Sequence, residues 1–397
     1  MSTETTMNRI KQLRLARAMS LDDLADTMGG IVTKQALSKY ELGHSTPSAS
    51  VLNQLAAALK VKAMDLWATP AIQVNFQGYR KKASLPKKWQ ASFEALVCTK
   101  LQERLPLQEY CYSAVPFDLP VHGFPVKTEA DAEDAAETLR DRWKLGVDSI
   151  GDLTAVLEDH LVHVLEMEGP EKFDGISALV RDTAGKLRAA AVVSRVGCPG
   201  DRQRLNLAHE LGHLVMKPAA QVDEEKAAFR FAGAFLAPRA CIEREIGTKR
   251  TTLRLGELLI LKRRFGMSVQ ALLRRLFDLD TITDSYYRWW CIYINKMHWR
   301  TQEPEPLAVE KPSWFRQTVL RCLAEGFVSD SEAEKLLGEK MESESGPGML
   351  RRRSFLKLPM EERRRILAAQ AEKLQKHYGS DHDGWEKIES DDFDEHN

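Results

Sequence analysis

Two imidazoles and a carboxylate stand at the spacing that metal-assisted hydrolysis needs: His209, Glu210 and His213, in the run LNLAHELGHLVMK from Leu205 to Lys217. On a helix, residues four apart share a face, so both rings can converge on one cation. Glu210, one step round, can address a metal-bound water rather than the metal. Zinc lowers the pKa of its bound water from about 15.7 to about 7, and a neighbouring carboxylate removes the proton as the resulting hydroxide attacks an amide carbonyl. Glu210 is therefore the candidate base, and His209 and His213 are candidate zinc ligands.

A helix that carries such a site must lie beside a core. Leu205, Ala208, Leu211, Leu214 and Val215 form the apolar face this requires, and Pro218 stops the run. A zinc site also needs a third protein ligand. The next helix, DEEKAAFRFAGAFLAP, offers Asp223, Glu224 and Glu225 at its head. Acids there also favour a helix N-terminus electrostatically, so their position alone does not make them ligands.

HELGH followed by RFAGAFLAP resembles the ImmA/IrrE family of metallopeptidases. The resemblance implies a zincin-like catalytic core, a Zn2+ cofactor and a protein substrate. Family members commonly place His or Asn where this chain has Phe229, and many carry the ligand glutamate where it has Ala227. Against that pattern the third ligand is assigned to Glu225, with Glu224, on the face of Ala227, as the alternative.

The elements ahead of the motif fit such a core. Helical patterns over Ala130 to Lys144 and Ile150 to His160 precede three strand-like runs, Leu161 to Glu166, Ile176 to Arg181 and Leu187 to Val196, with Gly175 and Gly185 at turns. By analogy with similar zinc peptidases, Leu187 to Val196 is the edge strand that holds substrate as an added strand. His160 and His163 read as core residues rather than ligands.

From Arg9 to Trp67 five short amphipathic helices follow one another. Leu21, Leu24, Ala25 and Met28 keep the i, i+3, i+4, i+7 pattern, and Ser20 with Asp23 forms a capping box. The third helix, TKQALSKYELG from Thr33, sets polar Lys34, Gln35, Ser38 and Lys39 around Leu37 and Tyr40. With LDDLAD and the Pro47 turn, this resembles the Xre-type, phage-repressor-like helix-turn-helix. The resemblance implies that the start of this helix enters the major groove of a double-stranded DNA operator, with Lys34, Gln35 and Lys39 at base edges, Thr33 near phosphate and Ser38 beside them. Met1 to Pro70 holds eight basic and six acidic side chains, a slim excess that favours a homodimer on two half-sites.

The whole chain of 397 residues balances 57 Lys and Arg against 57 Asp and Glu, so any nucleic-acid affinity must come from local patches. Its six cysteines form no C-x-x-C pair, which argues against a disulfide framework and a structural zinc finger and for a reducing cytoplasm. No apolar run approaches a membrane span, so no membrane association is expected.

The expected fold class is mainly α with a small β-sheet (α+β). The expected domains are 1–70, a helix-turn-helix bundle; 71–105, a connector ending in a helix, after a basic cluster around 80–82; and 106–245, the metallopeptidase, entered through an irregular stretch up to Thr128. They continue with 246–338, a helical module whose aromatic run SYYRWWCIYI is packed core, and 339–397, a linker and flexible tail. Arg351 to Tyr378 has nine basic and three acidic residues and Gly379 to Asn397 one basic and eight acidic, which resembles the toxin-binding tails of bacterial antitoxins. The chain thus reads as a DNA-binding transcriptional regulator whose zinc metallopeptidase cleaves a partner protein or itself. The alternative is an antitoxin-type repressor that neutralises a partner toxin through its tail, with the peptidase fold inactive.

Overall fold

The computed structural model describes residues 9–66, 72–77, 87–170, 173–341 and 358–380. The chain divides into two compact units, Met1–Arg321 and Cys322–Asn397. It is mainly α, with a small four-stranded mixed sheet and a two-stranded one.

The first unit opens with α1 (Arg9–Leu15), α2 (Leu21–Thr27), α3 (Lys34–Glu41), α4 (Ala49–Ala58) and a short 3-10 turn, Ala63–Leu66. Ser20, Thr33 and Ser48 cap α2, α3 and α4 by accepting backbone N–H bonds. Leu13, Leu24, Leu37, Leu55 and Leu59 meet in a core of their own. Beside it Arg14 on α1 binds both carboxylate oxygens of buried Glu41 on α3, at 2.6 and 2.8 Å. A bidentate pair out of water holds α3 at a set angle.

The stretch 71–86, read as part of a connector, instead contains a strand, β1 (Ile72–Gln77), before α5 (Lys87–Cys111). The basic cluster at 80–82 lies outside the described residues. Helix α5 also runs on past Pro106, where the sequence suggested a stop. Leu105, Leu107 and Gln108 are buried, and the Gln108 amide bonds Arg188 O and His163 Nε2, each at 2.9 Å. Tertiary packing here outweighs the hydrogen bond a proline removes. β2 (Phe124–Val126) likewise lies within the stretch read as irregular.

There follow α6 (Asp131–Arg142), α7 (Leu153–Asp159), β3 (Val162–Met167), β4 (Gly175–Asp182), β5 (Leu187–Arg195), α8 (Gly200–Val215) and β6 (Met216–Pro218), which pairs with β2. The main sheet has the order β1-β4-β5-β3, with β4 antiparallel to both neighbours and β3 parallel to β5. This corrects the edge-strand expectation: Leu187–Arg195 is bonded on both sides and cannot accept an added strand. The edges are β1 and β3, because a segment far upstream supplies the outer strand.

Side chains alternate between the two faces of the sheet, as strand geometry requires. Val164, Leu179 and Val192 join Leu207, Leu211 and Leu214 of α8 in the main core, while Leu165, Ala178, Val180 and Val193 meet Phe93, Val97 and Leu101 of α5 in a second. The main core continues through α9 (Glu224–Leu236), α10 (Arg239–Ile246), α11 (Leu255–Phe265), α12 (Val269–Asp278) and α13 (Asp284–Lys296). Packing therefore has no break at 245/246, where a separate helical module was drawn. The aromatic run on α13 is amphipathic rather than packed core: Trp290 and Ile294 are buried, whereas Trp289 and Ile292 are 53% and 68% exposed.

Ion pairs fix the start of α8. The buried Lys262 ammonium bonds Asp201 and Glu303, and Arg204 pairs with Glu310, whose carboxylate also caps α7 through Leu153 N (3.1 Å) and Thr154 N (2.8 Å). The division between units falls within α14 (Trp314–Glu325). The second unit holds α15 (Asp330–Leu337), with a capping box at Ser329, and α16 (Met360–Ser380). The acidic run 381–397, one half of the charge division on which the toxin-binding expectation rests, lies outside the described residues. No described helix is long and apolar enough to cross a membrane.

Candidate metal centre and nucleic-acid interface

On α8 the two imidazoles turn toward each other, His209 Nε2 and His213 Nε2 standing 3.1 Å apart. Glu225 closes the triangle, with Oε2 at 3.5 Å from His209 Nε2 and Oε1 at 3.5 Å from His213 Nε2. Among the described residues this is the group whose ligand atoms converge tightly enough for a metal. Zinc–ligand bonds of about 2.0–2.1 Å in a tetrahedron put neighbouring donors about 3.3–3.4 Å apart. The 3.1 Å between the two nitrogens lies close to that value, each nitrogen has one oxygen of the Glu225 carboxylate at 3.5 Å, and two nitrogens with one carboxylate leave the fourth position for water.

Packing brings Glu225 there. Asp223 caps α9 by accepting from Glu225 N (3.1 Å) and Lys226 N (3.2 Å), which sets both glutamates in the first turn. Where α9 crosses α8, a Cβ on Gly212 would stand 3.1 Å from Phe231 Cδ1. A glycine inside a helix costs about 0.5–1 kcal/mol relative to alanine. Here it admits the Phe231 ring and lets the two helices close.

Glu224 does something different. Its Oε1 lies 3.3 Å from His213 Nδ1, the ring nitrogen that faces away from the triangle. A carboxylate on that nitrogen holds the ring and sets its tautomer, leaving Nε2 to donate its lone pair. The two acids that the sequence left as alternatives thus occupy distinct places. Burial works against a charged ring at His213, but Glu225, Glu210 and Glu224 outweigh it and push its pKa up. Three carboxylates around two buried imidazoles make a donor set suited to a cation.

Glu210 points to the sheet side of the cluster. Ser177 Oγ on β4 donates to Glu210 Oε2 at 2.9 Å. Gly175 gives the carboxylate its room, since a Cβ there would stand 3.0 Å from Glu210 Cγ. Ser177 is not singled out by the sequence, where only the strand pattern of β4 is visible, and Gly175, read there as a turn residue, is the first residue of the strand. Phe229, also on α9, lays its half-exposed ring 4.2 Å from the centroid of His209, so an apolar wall stands beside the histidine pair. Ala227 is wholly buried in the main core.

His160 and His163 are structural. His160 stacks on Trp143 at 4.0 Å, and His163 is buried against Gln108 and the edge of Trp314. Burial, reinforced by the Arg104 charge, drives the His163 pKa down to about 3.

In the N-terminal bundle, Gly29 and Gly30 turn the chain into α3 with φ of +69° and +71°, a conformation that glycine adopts freely. Thr33, Lys34, Gln35 and Lys39 are exposed along the start of α3, and Ser38 is half-buried. Thr33 Oγ1 accepts from Ala36 N, leaving its hydroxyl proton to donate elsewhere. Lys34 Nζ meets Asp22 on α2 at 2.5 Å, an exposed pair that water and phosphate can readily replace.

Two family models match the chain: one described as helix-turn-helix, over residues 10–66, and one described as the IrrE N-terminal-like domain, over residues 199–277. No curated protein matches it significantly. The second match begins at the start of α8 and takes in the histidine pair, Glu210, Glu224 and Glu225. The chain accordingly joins an Xre-type helix-turn-helix DNA-binding domain to a domain of the ImmA/IrrE metallopeptidase family.

Proposed function

We propose that the chain is a DNA-binding transcriptional regulator whose zinc endopeptidase site hydrolyses a regulatory protein, a partner or the chain itself, and so changes repression. One observation carries this reading: His209, His213 and Glu225 converge within 4.8 Å, beside a Glu210 carboxylate held by Ser177. Those three residues would hold the metal, which when bound supplies Lewis acidity and a water of pKa about 7. Glu210 Oε1 takes the proton of the attacking water, and Ser177 keeps Oε2 engaged so that the carboxylate cannot turn away. The same oxygen then returns the proton to the departing amine. Glu224 keeps His213 in the tautomer that leaves Nε2 open.

At the other end, Lys34, Gln35 and Lys39 are offered to base edges, with Ser38 beside them and Thr33 near phosphate, as two copies on a pair of half-sites. Six cysteines without a disulfide support a reducing, cytoplasmic setting. A toxin partner for the C-terminal tail has only its charge division in support.

The test is metal content beside cleavage. The purified chain should carry about one zinc, lost in His213→Ala and Glu225→Ala. Glu210→Gln should keep zinc and DNA binding while losing roughly 10²- to 10⁴-fold in cleavage. Cleavage that survives Glu210→Gln, or a folded wild-type chain that takes up no zinc, would overturn this reading.

A further inference from the structure

An extended peptide must lie within reach of Glu210 to be cut, and the sheet edge that offers this is the outer edge of β4, which carries both Ser177 and Gly175. That edge is already taken. β1 runs antiparallel along it in a six-residue register from Ile72 opposite Asp182 to Gln77 opposite Ser177. The last residue of β1 is thus the cross-strand neighbour of the serine that holds the catalytic carboxylate. Among the described residues, Gly175 and Ile176, the two β4 residues beyond it, have no partner on the β1 side.

The side chains of β1 show what the edge accepts. Directly opposed residues share a face, so Gln73, Asn75 and Gln77 stand with Arg181, Leu179 and Ser177 on the α8 side. Ile72, Val74 and Phe76 turn to the other face, packed with α5. The strand IQVNFQ therefore alternates apolar residues below the sheet with uncharged amides above it. It fits imperfectly. Of its six residues only Ile72 is buried, and Asn75 Oδ1 is out of water with no hydrogen-bond partner.

We propose that β1 is a substrate-like strand, held in cis on the peptide-binding edge of the metal site. The protein substrate would then be an extended segment of the same kind, with β-branched or aromatic residues at alternate positions and uncharged polar residues between. Such a segment displaces β1 and pairs with β4 in its place. Main-chain bonds to the edge supply affinity, and the alternate pockets against α5 supply selectivity. The identification of this edge as the substrate's rests on the peptidase reading above; its occupation by a replaceable strand is tested apart from catalysis.

The experiment uses the full chain with Glu210→Gln and a fluorescently labelled peptide of residues 70–79, PAIQVNFQGY, with binding read by anisotropy. A competing strand that is docked about nine-tenths of the time weakens apparent peptide affinity on the order of ten-fold. Adding Val74→Pro, which removes a strand N–H, should therefore tighten peptide binding by up to about that factor. Phe76→Ser, which weakens packing without touching the backbone, should act in the same direction and serves if the proline variant does not fold. A peptide with Lys at the three apolar positions should not bind. Equal binding by parent and both variants, or none by a folded variant, overturns the proposal. Because Glu210→Gln is present throughout, an inactive peptidase would leave these outcomes readable, and a failure of cleavage alone would fall on the peptidase reading.

Discussion

Ser177 donates a 2.9 Å hydrogen bond to Glu210 across the contact between sheet and helix, so the candidate base is oriented by a strand and not by its own motif. Ser177→Ala should leave zinc content and fold intact while lowering kcat about ten- to a hundred-fold, the usual cost of losing an orienting partner. Little change in KM is expected, since the hydroxyl is committed to Glu210. Wild-type kcat in this variant would show that Glu210 needs no such support.

Glu224 and Glu225 should separate by metal affinity. Glu225→Ala removes a donor and should leave the chain without stoichiometric zinc after dialysis. Glu224→Gln, which keeps a hydrogen-bonding group near His213 Nδ1, should still fill with excess zinc but bind it about ten- to a hundred-fold more weakly. Competition with a chelator of known affinity measures both. Equal losses would show that the two acids share one role.

The ion pair between Lys34 and Asp22 bears on DNA binding. Asp22→Asn removes an acid beside the recognition helix and should tighten binding to any duplex. Lys34→Ala should weaken it and make the slope of log affinity against log salt shallower by about one. Gln35→Ala should cost about 1–3 kcal/mol of discrimination at one base position while leaving that slope alone. Salt titrations on operator and random duplexes distinguish the two effects.

His163 should make the fold acid-sensitive. Its pKa lies near 3 in the fold, against an ordinary value of 6.5, because burial excludes the charged ring. The unfolded chain therefore binds a proton that the fold does not between those values. The stability His163 contributes is present in full above pH 6.5 and declines as pH falls toward 3, by up to about 1.4 kcal/mol per pH unit. His163→Phe should flatten this limb in urea unfolding at pH 7 and pH 5. At neutral pH it should cost about 1–3 kcal/mol, since Gln108 Oε1 loses its partner.

What the sequence made legible was local. His209, Glu210 and His213 lie within one helical turn, and Asp223, Glu224 and Glu225 within another, so periodicity and capping rules reach both groups. The capped helix α2 is likewise marked by Ser20 with the acid three residues on. What stayed hidden depended on pairing between distant segments. Ser177 meets Glu210 only because β4 packs under α8, and nothing in its neighbours announces that. The strand IQVNFQ alternates cleanly, but among prolines and basic residues it read as a connector, and its pairing with β4 displaced β5 from the edge. Pro106 misled in the opposite sense, because the burial of Leu105 and Leu107 carries α5 through it.

Helix α5, with its 25 residues and a length of about 37 Å, packs against both the N-terminal bundle and the sheet. One side receives α1, through Arg9 on Gln102 and through Ser92 Oγ on Leu15 O at 2.8 Å; another lies under the sheet with Phe93, Val97 and Leu101. These contacts do not depend on the peptide link between Gln77 and Lys87. A nick in that link would leave the DNA-binding bundle seated on the same helix as before, and the two halves would still migrate as one body. Release from the operator would take the loss of a surface, not of a bond.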